Sequence, residues 1–283
     1  MKNNKKLAVN LTKTLTRYSN WLKRKDLASK TIQSYTEGVK HFHKFYGYNL
    51  TLTKLSQYFQ EKVNKLAVNT IIGYKTALKS YAKWQKIKLN WERITKLIPK
   101  SQPKFFPTLD FNGLEQLKTT RTEVKNKTQQ RNNLLLEFLF YTGLRLSELA
   151  NLKHSDWQSN QLKILGKGNK VRYVFLPPHL VAYIKSNCTD YFFTNNQGNK
   201  LSLRTIQQII HDKVKQSGIN KTISAHSFRR SFATNLYNRG GKLETIQKQL
   251  GHSSLDTTMA YIHNDYDTLY QDYSKLWSEV RNA

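Results

Sequence analysis

The 283-residue sequence contains a single cysteine, Cys188, and no apolar run near the roughly 18 residues of a membrane-spanning helix. One cysteine cannot form an internal disulfide or a cysteine-based zinc cluster, and it suits a reducing cytoplasm. The N-terminal residues are basic but lack the apolar core of a secretory signal. We therefore expect a cytoplasmic protein with no membrane partner, in which Cys188 is an ordinary buried thiol.

Acidic residues are also scarce. The sequence has 18 Asp and Glu against 47 Lys and Arg, which gives a net charge of +29. A surplus of this size attracts a polyanion, and nucleic acid is the first candidate. Residues 1–100 carry +18 with only four carboxylates, whereas residues 101–283 carry +11 with fourteen. The first part is typical of a module that binds nucleic acid. The second part has more carboxylates, as in a domain whose interior holds reactive side chains.

Proline is rare except at one place. Three of the five prolines fall within residues 98–108. Proline and the residue before it resist helix formation, so we expect an extended linker there. The predicted organisation is a first domain of residues 1–98, a linker of residues 99–108 and a second domain of residues 109–283.

The first domain shows apolar residues at helical spacing. The predicted helices cover residues 8–24, the segment from an N-cap at Ser29 to Phe45, residues 53–63, and the segment after Asn69 up to Trp84. They would form a small basic bundle.

Lys75, Lys79 and Lys83 form a stripe on the last of these helices. Such a stripe is either a solvated face or a nucleic-acid contact. The near absence of acidic partners favours the contact.

The second domain has a mixed pattern. Residues 134–143 are apolar on nearly all sides and end at Gly143, which predicts a buried helix with a glycine stop. Residues 161–177 alternate around the turn sequence GKGN, which predicts a β-hairpin. Helical patterns resume from about residue 203. The predicted fold class is therefore α+β and mostly α.

Four short segments of the second domain concentrate side chains that can bind a phosphate. They are TGLRLSELANL from residue 142, GKGNK from 166, AHSFRRSFATNLY from 225 and LGHSSLDTTMAYIH from 250. In the first, Arg145 and Glu148 could equally be a common surface ion pair. In the third, His226 and Arg229 share a helix face with the small Ala233, away from the predicted buried face, which would leave room for an anion.

The fourth segment contains a predicted helix stop at Gly251. Asp256 or Ser254 could then cap a short helix that carries Tyr261.

Together, in this order and at these intervals, the four segments resemble the tyrosine recombinases, also called the phage integrase family. The stretch SKTIQSYTEGVKHFHKF from residue 29 is similar to the opening helix of the family's core-binding domain. The resemblance implies a helical, SAM-like core-binding bundle followed by a catalytic domain with a small antiparallel sheet. It points to the Xer-like or simple integrase type with two domains.

The resemblance also implies roles for individual residues. Arg145 and Arg229 would clamp the scissile phosphate, Tyr261 would be the nucleophile, and Glu148 would support them. The other predicted catalytic residues are His226, His252 and the hairpin lysine, for which the motif register favours Lys167 over Lys170. Residues that we expect to contact DNA are Thr31, Tyr35, Lys75, Lys79, Lys83, Arg172 and Arg204.

These residue types suit attack on a phosphodiester. Two guanidiniums can bind the developing negative charge in a bidentate manner without a metal ion. A free tyrosine has a pKa of about 10, so Tyr261 needs surrounding positive charge, with or without the help of a histidine, to act as a nucleophile. A lysine on a hairpin tip can protonate the leaving 5′-oxygen. No metal or cofactor is expected.

The implied activity is site-specific recombination through a 3′-phosphotyrosyl intermediate and a Holliday junction. The implied assembly is a homotetramer on two sites of double-stranded DNA, alone or with a second recombinase or accessory protein, in the nucleoid. The outcome would be chromosome-dimer resolution, integration or excision, or DNA inversion. The apolar stripe of residues 264–277 would pack in its own core or dock in a neighbouring protomer.

Three alternatives stay open. A type IB topoisomerase uses similar chemistry but would relax supercoils as a monomer. A non-catalytic DNA-binding accessory protein would not need the complete set of catalytic residue types. A metal nuclease using His226, His252 and His263 is disfavoured because no acidic cluster accompanies them and arginines repel a cation.

Overall fold

The chain divides into two compact units, residues 1–104 and residues 105–283, with the division inside the predicted linker. No described helix is long and apolar enough to cross a membrane. Cys188 and Lys167 lie outside the described residues. The computed structural model describes residues 2–100, 107–120, 126–166, 170–185, 190–252, 254–259 and 261–262.

The N-terminal unit contains the four predicted helices and a short fifth one. They are α1 (Lys2–Arg24), α2 (Ser29–Tyr46), α3 (Leu52–Val63), α4 (Val68–Trp84) and α5 (Trp91–Lys96). The predicted N-cap at Ser29 is wrong by one position, since Ala28 is the N-cap and its side chain makes no capping bond. The carbonyl of Ala28 accepts from the backbone N–H groups of Thr31 and Ile32, so the helix starts without a side-chain cap.

The largest fully buried side chains of this unit are aromatic. Tyr18, Tyr58 and Phe42 are among its fully buried residues. A buried tyrosine hydroxyl needs a hydrogen-bond partner, and the Tyr58 hydroxyl lies 2.7 Å from Nδ1 of His41. The bundle therefore buries the polar hydroxyl of Tyr58 with a partner, among aromatic rings.

The C-terminal unit is mostly helical around a small sheet. The sheet has three antiparallel strands in the order β1-β2-β3. The predicted fold class is confirmed. The elements are α6 (Phe111–Thr119), α7 (Asn126–Thr142), α8 (Leu146–Ala150), a 3-10 turn (His154–Asp156), β1 (Trp157–Gln158), β2 (Gln161–Leu165), β3 (Val171–Phe175), α9 (Pro178–Lys185), α10 (Leu203–Ser217), α11 (Ala225–Asn238), α12 (Leu243–Leu250) and α13 (Leu255–Met259).

The predicted hairpin is formed by β2 and β3. Its pairing ends with Leu165 opposite Val171, and the N–H of Gly166 then donates to the carbonyl of Lys170. Leu162 and Ile164 of β2 are buried, but the alternating Val171, Tyr173 and Phe175 of β3 are about half exposed. Alternation predicted the strand correctly, but Val174 and the polar Arg172 occupy the inward positions of β3.

Gly143 ends α7 as predicted. Its φ of +60° favours glycine, and its N–H donates to the carbonyl of Leu139. A Cβ at this position would lie 2.7 Å from the ring of Phe232 and 2.8 Å from Leu250. Glycine is thus required both for the turn and for the close approach of α11 and α12 to the segment that precedes Arg145.

Candidate active site

Arg145 and Glu148 lie at the start of α8. Arg145 is the N-cap residue, and its backbone N–H donates to Oε2 of Glu148 at 2.8 Å. Its guanidinium donates to Oε1 of the same carboxylate, also at 2.8 Å. The Glu148 side chain is only 8% exposed, whereas that of Arg145 is 40% exposed. The surface ion pair is therefore the wrong interpretation, since a buried carboxylate holds an arginine whose outer part is free to contact a ligand.

Arg172 binds the same carboxylate from the sheet. Its two terminal nitrogens donate to the two oxygens of Glu148 at 2.9 and 2.7 Å, and its Nε donates to the carbonyl of Gln249 at 2.9 Å. The side chain is 10% exposed. This placement argues against the direct DNA contact predicted for Arg172.

Glu148 is held in its ionised form. Burial by itself raises the pKa of this carboxyl, but the hydrogen bonds and charge of Arg172, together with those of Arg145, outweigh it and lower the pKa to about 2. One negative charge is shared by two guanidiniums, so the surroundings keep an excess of positive charge.

Arg229 is buried in α11, with 2% of its surface exposed. Its guanidinium donates to the carbonyls of Gly143, at 2.6 Å, and Leu250. Burial, followed by the charge of Arg145, lowers its pKa to about 10, which still leaves it charged at neutral pH. The prediction that Arg229 and Ala233 lie away from the buried face is wrong, because α11 packs against both α7 and α12 and buries every residue from Ser227 to Thr234.

His252 follows the predicted helix stop at Gly251, which has a φ of +66°. Its Nε2 lies 3.1 Å from a terminal nitrogen of Arg229, and its Nδ1 lies 3.1 Å from Oγ1 of Thr258. An arginine can only donate, so Nε2 accepts and Nδ1 carries the proton. Burial, then the charges of Arg229 and other nearby arginines, lowers the pKa of His252 to about 4, so the ring is neutral at neutral pH.

Tyr261 lies just beyond α13. Ser254, rather than Asp256, caps this helix by accepting from the N–H of Thr257. The described helix runs to Met259, and Tyr261 lies in a turn after it rather than in the predicted helix itself. The position of Tyr261 is instead fixed by hydrogen bonds of its backbone with Thr258 and with the Thr234 hydroxyl.

The Tyr261 side chain sits among cationic and imidazole groups. Its hydroxyl lies 3.1 Å from Nε2 of His226. The Cζ atoms of Arg229 and Arg230 are 5.9 and 5.6 Å from the centre of its ring. Partial removal from water by the surrounding side chains, then the charges of Arg230, Arg229 and Arg145, lower the pKa of His226, so its ring is a neutral base at neutral pH.

A cavity of about 460 Å³ opens beside these groups. It is lined by Arg145, His226 and Arg229, and also by Gln207 and His211 of α10. Sequence reasoning missed the last two, although their four-residue spacing on an amphipathic helix places them on one face. The cavity therefore joins three of the predicted catalytic residues, while Lys167 is outside the described residues.

The residues predicted to contact DNA differ in how exposed they are to solvent. Lys79 and Lys83 are exposed on α4, and Arg204 is exposed in the first turn of α10. Lys75 is partly buried and donates to Oγ1 of Thr95 at 3.2 Å. Two further candidates on α2 are both partly buried: Thr31 and Tyr35. The exposed lysines are the best placed of this set to contact phosphate.

The described part of the chain holds no group of three or more His, Cys, Asp or Glu that could hold a metal ion. Of the three histidines considered for a metal nuclease, His226 contacts Tyr261 and His252 accepts from Arg229. His263 lies outside the described residues.

Known proteins share this architecture. Residues 107–268 match the model of the phage integrase family. The tyrosine recombinase XerC of Bacillus pumilus is 30% identical over 281 residues, which cover 88% of this chain and 90% of that protein. A crystal structure of the XerH site-specific recombinase bound to difH substrate, in a pre-cleavage complex, matches with a TM-score of 0.66 and 25% identity over 86% of this chain and 78% of that chain.

A lambda integrase dimer bound to a core site matches in fold, with a TM-score of 0.72 at 16% identity over 90% of this chain and 96% of that chain. The fold is thus that of the two-domain tyrosine recombinases. The chain belongs to the phage integrase family and is an enzyme of its Xer-like tyrosine recombinase type.

Proposed function

We propose that this chain is a site-specific DNA recombinase that cuts and rejoins double-stranded DNA through a covalent bond to Tyr261. The observation that carries the proposal is the setting of Tyr261: its hydroxyl lies 3.1 Å from a neutral histidine, and the Cζ atoms of two buried arginines lie 5.9 and 5.6 Å from the centre of its ring. A phenol with a base and cations around it is equipped to attack phosphorus. The names of the XerC and XerH relatives support the same activity.

In the proposed cleavage step, the scissile phosphate enters the cavity next to Arg145 and Arg229. His226 accepts the phenolic proton, and the Tyr261 oxygen forms a bond to phosphorus. The bond from phosphorus to the 5′-oxygen breaks, which leaves a 3′-phosphotyrosyl ester and a free 5′-hydroxyl. Lys167, predicted from the motif, would protonate that leaving oxygen.

Each arginine has a distinct part in this proposal. Arg145 has the exposed guanidinium surface needed to donate to a non-bridging oxygen. Arg229 supplies fixed positive charge from a buried position that needs no rearrangement during the reaction. His252 accepts a hydrogen bond from Arg229 and so keeps that guanidinium oriented.

Rejoining reverses the chemistry. The tyrosyl ester conserves the energy of the broken bond, so a 5′-hydroxyl from a partner strand can attack it without ATP. In the proposed assembly, four protomers on two sites exchange one pair of strands, form a Holliday junction and exchange the second pair. The tail of residues 264–277, which lies outside the described residues, is proposed to dock in a neighbouring protomer.

The N-terminal unit is proposed to grip the duplex through exposed lysines such as Lys79 and Lys83. Its excess of basic residues over four carboxylates supports this role. Chromosome-dimer resolution, integration or excision, and inversion all use the same chemistry, with or without a second recombinase. Sequencing of the DNA that is covalently trapped on the protein in the nucleoid distinguishes among them.

A test of the chemistry uses sheared genomic DNA and detergent-stable protein–DNA adducts. We expect the wild-type protein to form adducts in the presence of EDTA, and Tyr261→Phe to form none while it binds DNA with unchanged affinity. Tyr173→Phe, at a half-exposed tyrosine of β3, is the matched control and should behave as the wild type. Adducts that persist in Tyr261→Phe would overturn the proposal.

The type IB topoisomerase alternative makes the same adduct, so it needs a second assay. A recombinase joins two DNA molecules that both carry the trapped site, whereas a topoisomerase relaxes a supercoiled plasmid that lacks it. Relaxation of any plasmid, without joining of paired sites, would favour the topoisomerase. A silent accessory protein would give neither result.

A further inference from the structure

Strand β3 of the hairpin is joined to α12 by two hydrogen bonds to one residue. The Nε of Arg172 donates to the backbone carbonyl of Gln249, and the N–H of Phe175 donates to the side-chain Oε1 of Gln249 at 3.1 Å. Gln249 is itself buried. An edge strand normally leaves its N–H groups to solvent or to another strand, and here a helix residue satisfies one of them.

Arg172 also packs against the turn that leads to His252. A Cβ on Gly251 would lie 2.7 Å from Cδ of Arg172 and 3.1 Å from its Nε. A side chain at position 251 would therefore displace the guanidinium. Glycine is needed at this place for the close approach of Arg172, as well as for the φ of +66°.

The residues on either side of Gly251 bind Arg229. The carbonyl of Leu250 and the Nε2 of His252 both accept from the same terminal nitrogen of Arg229. Arg172 therefore supports the short backbone segment on which the orientation of Arg229 depends. On its other side it binds both oxygens of Glu148, which in turn binds Arg145.

We propose that Arg172 is a positioning residue for the cleavage reaction: it fixes strand β3 to α12 and orients both phosphate-binding arginines, Arg145 through Glu148 and Arg229 through residues 249–252. The inference rests on the proposed function. It assigns Arg172 a role that does not involve touching DNA. One guanidinium thus links β3 to the elements that hold both of these arginines.

Lysine cannot replace Arg172 in this role. A planar guanidinium reaches three acceptors on two elements at once, whereas an ammonium is a single point on a flexible stem. We expect Arg172→Lys to lower the rate of adduct formation about 10- to 100-fold, as is typical of residues that orient catalytic groups. The affinity for DNA should change less than about threefold, because the side chain is buried.

The matched control is Arg131→Lys. Arg131 is also a partly buried arginine, and it donates to the carbonyl of Thr194 and to Oδ1 of Asn132, away from the cavity. Its replacement should leave the rate of adduct formation unchanged per folded molecule. A similar loss of rate in both variants would mean that Arg172 is merely structural, and would overturn the inference.

A pH profile separates positioning from stability. In the wild type, Glu148 stays ionised across the working range of pH. In Arg172→Gln the buried carboxylate keeps only Arg145, so its pKa rises and the rate should fall on the acid side at a higher pH than in the wild type. Adding Glu148→Gln should remove this acid-side fall, because the titrating group is gone.

The outcomes discriminate between explanations. If Arg172 contacts DNA directly, Arg172→Lys and Arg172→Gln will weaken DNA binding and change its salt dependence, with no new acid-side fall. An unchanged cleavage rate in folded Arg172→Lys would overturn this inference alone. Absence of any Tyr261-dependent adduct in the wild type would overturn the proposed function, and the inference with it.

Discussion

The buried tyrosines of the N-terminal unit and the buried carboxylate of the C-terminal unit are held in opposite charge states. In the N-terminal unit, burial raises the pKa of Tyr18 to about 12 and also raises that of Tyr58, so these hydroxyls stay neutral. The C-terminal unit buries neutral groups such as Ser231 and Gln249 as well, but its Glu148 side chain is held near a pKa of 2 despite its burial. Burial suppresses ionisation of the tyrosines, whereas partner arginines enforce ionisation of the carboxylate.

This difference shows what sets one tyrosine apart in a chain that has sixteen. Tyr18 packs between aromatic neighbours such as Tyr81 and Trp84, which do not favour a phenolate. Tyr261 packs against His226 and His252 with two guanidiniums near its ring. Positive charge stabilises the negative charge that develops as the phenol loses its proton and its oxygen attacks phosphorus. The surroundings of a tyrosine, rather than its burial, therefore indicate a nucleophile.

The largest effect on the rate of cleavage should come from replacing the guanidinium of Arg229. Arg229→Lys keeps a positive charge but cannot reach the carbonyls of Gly143 and Leu250 and the ring of His252 together. We expect adduct formation to slow by about 10²- to 10³-fold, as for loss of a fixed donor in other active sites. The amount of covalent protein–DNA adduct formed over time on DNA that carries a cleavable site measures this rate.

The control for Arg229→Lys is Arg93→Lys, at an exposed position in α5. This control should cleave like the wild type. If Arg229→Lys cleaves within threefold of the wild type, charge alone is sufficient, and the geometry of the guanidinium is not required.

The next effect tests the ionised state of Glu148 through stability. Because the pKa of Glu148 in the fold, about 2, lies below its ordinary value of 4.5, the ionised carboxylate stabilises the fold above that ordinary value. This stabilisation, about 3 kcal/mol, is lost as the pH falls from 4.5 through 2. Glu148→Gln should lower the free energy of unfolding at pH 7 by about 3 kcal/mol or more, because it leaves Arg172 buried without its carboxylate.

Urea denaturation at pH 7 and at pH 3 checks this expectation. The difference in unfolding free energy between wild type and Glu148→Gln should shrink at the lower pH. Glu92→Gln, at an exposed carboxylate paired with Lys96, is the control and should cost less than about 0.5 kcal/mol. A pH-independent difference would mean that Glu148 is not held ionised by its partners.

A smaller effect is expected from the neutral tyrosines of the N-terminal unit. Tyr58→Phe removes the hydroxyl that lies 2.7 Å from Nδ1 of His41, and should lower the free energy of unfolding by about 1 to 2 kcal/mol. It should leave the cleavage rate unchanged, whereas Tyr261→Phe should do the reverse. Thermal unfolding and adduct formation should be measured on both variants. Slower cleavage by fully folded Tyr58→Phe would contradict the distinction between the two tyrosine environments.

Local patterns in the sequence predicted most of the elements. Helical spacing located α2 and α4, alternation located the hairpin, and the glycine stops at Gly143 and Gly251 are confirmed. These features depend on residues that are near each other in the chain, so a short window contains the necessary information. The membership of Arg145, Arg229 and Tyr261 in one cluster came from the order of the motifs.

The missed features depend on long-range packing. Arg172 meets partners 24 and 77 residues away, and an arginine in an alternating strand gives no signal of such burial. The burial of Arg229 arises because α11 packs between α7 and α12, whereas its own periodicity marks only one apolar face. Charged residues are ordinarily exposed, so their burial becomes evident only when the packed partners are known.

The smallest effect concerns the surface of the N-terminal unit, where cations are exposed rather than buried. Replacing Lys79 and Lys83 by glutamine should weaken DNA binding a few-fold and lower the slope of log affinity against log salt by about 0.9 for each lysine that contacts a phosphate. Lys96→Gln is the control, because Glu92 already lies 3.2 Å from its charge. An equal change of slope in the control would favour the solvated-face interpretation of the stripe. A larger change in Lys79→Gln and Lys83→Gln would mean that this unit neutralises DNA phosphates through exposed lysines, in contrast to the buried Arg229 of the C-terminal unit.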